Sequence, residues 1–105
     1  MNATELLNKL PAAFKADEAA GTNCTLQLKT AEPTYVTIKD STCTVTQGTT
    51  DNADVTVTME DDDLVQMLKG ELNGMTAFMT GKLQIDGDMI LTQKVFGLFD
   101  SSKLA

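Results

Sequence analysis

Apolar and polar residues alternate with a period of two through much of the first half of the chain. Threonine fills most of the polar positions, and cysteine, valine, leucine or isoleucine fills the apolar ones; this pattern is typical of half-buried β-strands. The alternating runs cover residues 24–28, 36–38, 43–45 and 55–59. Short breaks at 31–33 and 40–42 favour antiparallel hairpins, and the longer break at 48–53 allows a crossover.

The period changes to that of a helix before and after these runs, and residues 82–86 alternate once more between the later helices. Helices are predicted over residues 4–15, from 61 to a stop at Gly70, over 71–79, and over 89–99 with Asp88 as the N-terminal cap. Asn2 and Glu5 have the spacing of a capping box. One sheet face is apolar and the other is polar, so we expect an α+β domain with its helices on the apolar face.

The composition narrows the chemistry that such a domain can perform. The chain has 105 residues and a net charge of −7, with 8 lysines and no arginine, histidine or tryptophan. It lacks the basic face of a nucleic-acid-binding protein and the histidine of catalytic triads and of many metal sites. No stretch approaches the roughly 18 apolar residues of a membrane span. We therefore expect no enzyme activity, cofactor, metal, nucleic-acid partner or stable membrane insertion.

Three local features suggest chemistry but have simpler explanations. Residues 61–63 are three aspartates, which suit a helix first turn, whereas a calcium loop would need a glycine where Gln66 stands. The segment from Gly74 to Lys82 lacks the glycine spacing of a phosphate-binding loop. Cys24 and Cys43 face the apolar side of a predicted meander with a strand between them, too far apart for a disulfide, so we expect buried, inert thiols.

Methionine and the last helix point to a ligand or a partner. All methionines except the first lie from Met59 onward, and methionine suits surfaces that accept varied apolar partners. Residues 89–99 are more apolar than one sheet face requires. Such a helix either lies over a cavity or exposes a patch that something else covers.

Several segments of the second half resemble sterol carrier protein 2 (SCP2) domains. The segments are Ala53-Asp54-Val55-Thr56-Val57-Thr58-Met59 with Asp61-Asp62-Asp63-Leu64, then Gly70-Glu71-Leu72-Asn73, Ala77-Phe78-Met79, and Gly81-Lys82-Leu83-Gln84-Ile85-Asp86-Gly87-Asp88-Met89. The resemblance is specific from residue 53 to about 96, and the whole chain fits a standalone member of bacterial type. It implies a five-stranded, mainly antiparallel sheet with helices covering one face and an apolar tunnel inside.

The resemblance also implies a function. We expect a non-enzymatic, intracellular lipid-binding or lipid-transfer protein that holds a fatty acid, acyl-CoA, sterol-like molecule or phospholipid. The alternative is an accessory or dimerising module of a lipid- or quinone-handling enzyme system, with a homodimer through the last helix. The residues expected to line the tunnel are Val57, Met59, Leu64, Leu68, Met75, Phe78, Met79, Ile85, Met89, Val95, Phe96 and Phe99.

Domain limits and location follow from the ends of the chain. Residues 1–105 are expected to form one domain, and the tail from about residue 100 to 105 is compatible with a partial cloning remnant. Ser102-Lys103-Leu104 would be a peroxisomal signal only at the very end, but Ala105 follows it. The first residues do not resemble a signal peptide. We therefore expect the cytoplasm rather than the peroxisome.

Overall fold

The computed structural model of the chain describes residues 3–104 and contains one five-stranded sheet. The strands are β1 (Cys24–Lys29), β2 (Thr34–Lys39), β3 (Thr42–Gln47), β4 (Val55–Thr58) and β5 (Gln84–Gly87). Their order across the sheet is β3-β2-β1-β4-β5. β1 and β4 are parallel, and the other neighbouring pairs are antiparallel. The predicted α+β class, hairpins and crossover are confirmed.

The crossover is anchored by a residue that the alternation had placed on the polar face. Gln27 is buried, and its side-chain amide donates hydrogen bonds to the carbonyls of Thr34 and Gly48, both at 3.2 Å. Its Oε1 accepts a hydrogen bond from the backbone N–H of Thr50 at 2.9 Å. A buried amide needs such partners, and here they fix the start of the connection between β3 and β4.

The described part of the chain also contains five helices, and their apolar residues join those of the strands in one core. They are α1 (Ala3–Leu7), α2 (Leu10–Ala13), α3 (Asp61–Leu68), α4 (Gly74–Met79) and α5 (Met89–Phe96), with single 3-10 turns at Ala16–Glu18 and Ser101–Lys103. α1 contacts α3, α2 contacts β3, and α5 contacts β5. The three aspartates form the first turn of α3, as predicted.

The single helix predicted over residues 4–15 is wrong in its continuity. Pro11 has no N–H to donate to the carbonyl of Leu7, and its ring would collide with that carbonyl in a continuous helix. The chain therefore ends α1 at Leu7, turns, and starts α2 with Pro11 in its first positions. Asn2, the first half of the predicted capping box, lies outside the described residues.

Two later helices are shorter than predicted. α4 begins at Gly74 rather than at residue 71, because Asn73 caps it. α5 ends at Phe96 rather than at residue 99. Phe99 instead forms an isolated antiparallel bridge with Phe14, and the two ring centroids lie 5.6 Å apart.

The tail packs into the fold. Leu104 is only 1% exposed and belongs to the core. The backbone N–H of Asp100 donates to the carbonyl of Ala13 at 2.9 Å, and that of Lys15 donates to the carbonyl of Leu98 at 2.7 Å. These contacts tie the segment after α5 to the segment after α2.

The two cysteines are free and buried, as predicted. Cys24 pairs with Ile38 on β2, which pairs with Cys43 on β3, so the cysteines are two strand spacings apart, about 9–10 Å. Disulfides need Cα atoms within about 7 Å. Burial raises the pKa of both thiols, to about 11 for Cys43. At Cys24 the carboxylate of Asp54 adds to this effect and Lys94 opposes it.

Candidate functional site

An apolar cleft of about 450 Å³ lies between α4, α5 and the start of β5. Its walls come from α3, the loop that follows α3, α4, β5 and α5. The lining residues are Met67, Leu72, Asn73, Gly74, Met75, Phe78, Leu83, Ile85, Met89, Thr92, Gln93, Phe96 and Gly97. Spaces of this size and character are typical small-molecule sites.

Two capping residues fix the helices that form the walls. Asn73 Oδ1 accepts hydrogen bonds from the backbone N–H groups of Met75 at 2.8 Å and Thr76 at 3.2 Å, which starts α4. Asp88 Oδ1 accepts from the N–H of Leu91 at 3.1 Å, which starts α5 directly after β5. Both caps are short polar residues of the kind that sequence reasoning recognises, and Asp88 was predicted in this role.

Helical periodicity explains which side of α5 meets the cleft. Met89, Thr92, Gln93 and Phe96 follow one another at intervals of three, one and three residues, so they lie on one face of the helix. Val95 lies on another side and is buried in the core. The abundance of apolar residues in α5 thus serves the core on one side and the cleft on another.

The mouth of the cleft opens to solvent through α4. Phe78 is 38% exposed and Met75 is 49% exposed, although both line the cleft. Apolar side chains of this size are usually covered in a protein of this kind, and their exposure at a concave site marks an interaction surface. The space is thus an open cleft, where the family resemblance implied a tunnel.

The structure brings together five of the twelve side chains that were predicted to line the site. Those five are Met75, Phe78, Ile85, Met89 and Phe96. The other seven lie outside the cleft lining, and they are Val57, Met59, Leu64, Leu68, Met79, Val95 and Phe99.

The seven residues outside the lining lie in two kinds of place. Six are buried with the core: Val57, Met59, Leu64, Leu68, Val95 and Phe99. Met79 is 78% exposed on the outer side of α4. The space under the middle of the sheet is therefore filled by protein side chains, and the cleft lies at the end of the sheet near β5.

The cleft also contains apolar residues that the sequence reasoning missed. Met67, Leu72 and Leu83 contribute to its wall. Met67 and Leu72 are only partly buried, which distinguishes them from the core residue Leu68. Of these three residues, only Met67 could have been predicted from the sequence. It belongs to the group of methionines that indicated an adaptable apolar surface.

The described residues that line the cleft form no constellation for bond-breaking chemistry. Its polar side chains are Asn73, Thr92 and Gln93, none of which is a strong base or nucleophile without an activating partner. Within residues 3–104, no three histidine, cysteine, aspartate or glutamate side chains are grouped to hold a metal ion. In the same part of the chain no helix is long and apolar enough to cross a membrane. The arrangement suits binding of an apolar molecule.

A second depression lies beside the N-terminus of α3. It is lined by Thr58, Met59, Glu60, Asp63, Thr80, Gly81, Lys82 and Gln84. Polar and charged side chains dominate it, and of the twelve predicted lipid-contacting residues only Met59 borders it. It offers no comparable apolar surface for a hydrocarbon chain.

Sequence comparison connects this chain to lipid-transfer domains. A family profile described as "SCP-2 sterol transfer family" matches residues 4–100. "Peroxisomal multifunctional enzyme A" of Dictyostelium discoideum is 34% identical over 103 residues, which make up 95% of this chain and 21% of that protein. The chain thus spans about a fifth of the length of that relative.

Structural comparison gives the same relationship. Sterol carrier protein 2 like 2 from Aedes aegypti has a TM-score of 0.72 and 26% identity, over 92% of this chain and 93% of that chain. The sec-alkylsulfatase Pisa1 from Pseudomonas sp. has a TM-score of 0.84 and 28% identity, over 90% of this chain and 16% of that chain. The same fold therefore occurs as nearly a whole chain and as a small part of a larger enzyme.

Proposed function

Since the chain belongs to the SCP-2 sterol transfer family, we propose that it binds and transfers a lipid whose hydrocarbon chain lies in the cleft between α4, β5 and α5. The observation that carries this proposal is the open apolar wall formed by Met75, Phe78, Met89 and Phe96. The family membership supports a lipid as the class of ligand. The domain acts as a carrier and contributes no bond-breaking step. Its cytoplasmic location stays a prediction.

The energetics of the cleft favour binding that is reversible. Each methylene group removed from water contributes about 0.8 kcal/mol, so a long chain gains on the order of 10 kcal/mol before the costs of association and ordering. Affinities around micromolar follow, with selectivity for chain length. Five methionines and phenylalanines at the wall and mouth can adapt to chains of different shape.

The proposal is tested by lipid binding in a pair of matched variants. Phe78 and Met79 are neighbours on α4, but only Phe78 lines the cleft. We expect Phe78→Asp to weaken displacement of a neutral fluorescent apolar probe at least about tenfold, because the aspartate places a charge against the ligand chain. Met79→Asp should leave displacement unchanged. Met75→Asp gives a second test at a position that is 49% exposed and tolerates a polar side chain.

Native mass spectrometry of the freshly purified protein provides the complementary measurement. Co-purifying lipid that is lost in Phe78→Asp and retained in Met79→Asp would support the proposal. A folded wild-type protein that carries no lipid and displaces no probe would overturn it. Circular dichroism of each variant separates lost binding from lost folding.

We propose the accessory or dimerising module as a second function, because the chain matches small parts of larger proteins. It corresponds to 21% of the Dictyostelium protein and 16% of the alkylsulfatase. For a homodimer through the last helix, α5 offers the 79% exposed Ile90 and the half-buried Phe96, whereas Val95 and Phe99 are covered by the chain itself. A stable dimer in light scattering that takes up no lipid would favour this second function over the carrier.

A further inference from the structure

Among residues 3–104, no ionisable side chain lines the cleft. Its thirteen residues are apolar, glycine, or the uncharged polar residues Asn73, Thr92 and Gln93. Over the whole chain 22% of residues are charged, so the lining is depleted in charge. A lipid that brings a charged head group into the cleft would find no opposite charge there.

The charges nearest to the lining along the chain do not supply a cation inside it. Glu71, Asp86 and Asp88 each adjoin a lining residue, as do Lys82 and Lys94, and all five are exposed. The acidic groups outnumber the lysines here, as they do in the whole chain with its net charge of −7. A carboxylate or phosphate that enters the cleft therefore loses its hydration, and no buried cation among the described residues offsets that free-energy cost.

The polar atoms of the cleft match an uncharged head group instead. Asn73 Oδ1 is occupied by the N–H groups of Met75 and Thr76, which leaves its NH₂ group without a partner among the described residues. Thr92 is only 1% exposed and its hydroxyl donates to the carbonyl of Asp88 at 2.9 Å, so Asn73 and Gln93 are the polar groups available to a ligand. Gln93 adds an exposed amide with both donors and an acceptor.

We infer that the cleft selects lipids with an uncharged polar end, such as a hydroxyl or ester, over anionic lipids with the same hydrocarbon chain. The inference rests on the proposed lipid-binding function and specifies the class of ligand. Gln93 is the specificity-determining residue that can be changed most simply, because it is exposed on α5 at the edge of the cleft.

Competition between dodecanol and laurate at pH 8 tests this selection, with displacement of a neutral fluorescent probe as the readout. The two ligands share a chain length and differ in the head group. We expect dodecanol to bind about tenfold more tightly than laurate in the wild-type protein. Gln93→Lys places a cation at the rim and removes the amide, so it should raise the affinity for laurate relative to dodecanol about fivefold. Gln93→Met keeps a similar length without charge and should not raise laurate affinity.

The outcomes separate this inference from the proposed function. Laurate that binds as tightly as dodecanol, or a Gln93→Lys protein whose preference is unchanged, would overturn the selection for uncharged lipids while leaving lipid binding intact. Absence of displacement by both ligands in a folded protein would overturn the proposed function together with the selection.

Discussion

Gly87 lies directly opposite Val55 in the ladder between β4 and β5, at a distance that leaves no room for a side chain on the glycine. A Cβ atom at Gly87 would be 3.2 Å from Val55 Cα and 2.9 Å from the carbonyl oxygen of Asp54. Gly87 also has a φ of 128°, which side-chain-bearing residues rarely adopt. Asp88 follows it and caps α5, so this close approach positions the helix that carries Met89 and Phe96 into the cleft.

Replacing Gly87 with alanine should destabilise the protein by about 3 kcal/mol, since the substitution combines backbone strain with a steric clash. Gly81→Ala is the matched control, because Gly81 has a φ of 79° but nothing within 4 Å of its Cβ position. We expect that control to cost only about 1 kcal/mol. Urea denaturation measures both values, and equal losses in the two variants would contradict the role assigned to the close approach.

The burial of Leu104 predicts that the tail contributes to stability. Leu104→Ala should lower the free energy of unfolding by about 2–5 kcal/mol, because it leaves a cavity in the core. Lys103→Ala changes an exposed side chain next to it and should have an effect within about 0.5 kcal/mol. A Leu104→Ala protein with an unchanged midpoint in urea would show that the buried Leu104 side chain does not contribute to stability.

The buried thiol of Cys43 makes stability fall at alkaline pH. Its pKa in the folded protein is raised to about 11 from an ordinary value of 9.0, so the unfolded state loses the proton first as the pH rises. Burial of the protonated thiol contributes on the order of 2 kcal/mol to the free energy of unfolding. This contribution is fully present below pH 9 and is lost as the pH rises through 11.

A valine at position 43 provides the comparison for this pH dependence. Cys43→Val keeps a small apolar side chain and removes the titrating group. Between pH 9 and pH 11, the unfolding free energy of the wild-type protein should fall relative to that of the variant by on the order of 2 kcal/mol. A difference that stays constant across this range would contradict the raised pKa. Below pH 9, a thiol reagent should modify Cys43 only after unfolding.

Much of the fold could be predicted from the sequence because alternation reports directly on which side of a strand is buried. The threonine-rich runs predicted β1 to β4, and the break at 48–53 allowed a crossover, but the parallel pairing of β4 with β1 came only from the structure. The broken first helix was missed although its cause, Pro11, is in the sequence. The apolar spacing of Leu6 and Leu10 continues across the break and concealed it.

The site was harder to predict than the fold, for a physical reason. Periodicity shows that Leu64 and Phe78 both turn away from the polar side of their helices, but it does not show what they meet there. Leu64 meets other side chains and is fully buried, whereas Phe78 meets open space and is 38% exposed. That difference depends on how α4, α5 and β5 are placed relative to one another, which arises from packing between segments that are distant in the sequence.

Photo-crosslinking with a long-chain alcohol that carries a diazirine in its hydrocarbon chain tests the location of the ligand most directly. After irradiation of the complex, peptide mass spectrometry identifies the labelled residues. We expect labels on α4 and α5 within the cleft, at Met75, Phe78, Met89 and Phe96, and competition by unlabelled alcohol. Labels on the core residues Val57 and Leu64, or only on the exposed Met79, would contradict the assignment of the cleft as the lipid site.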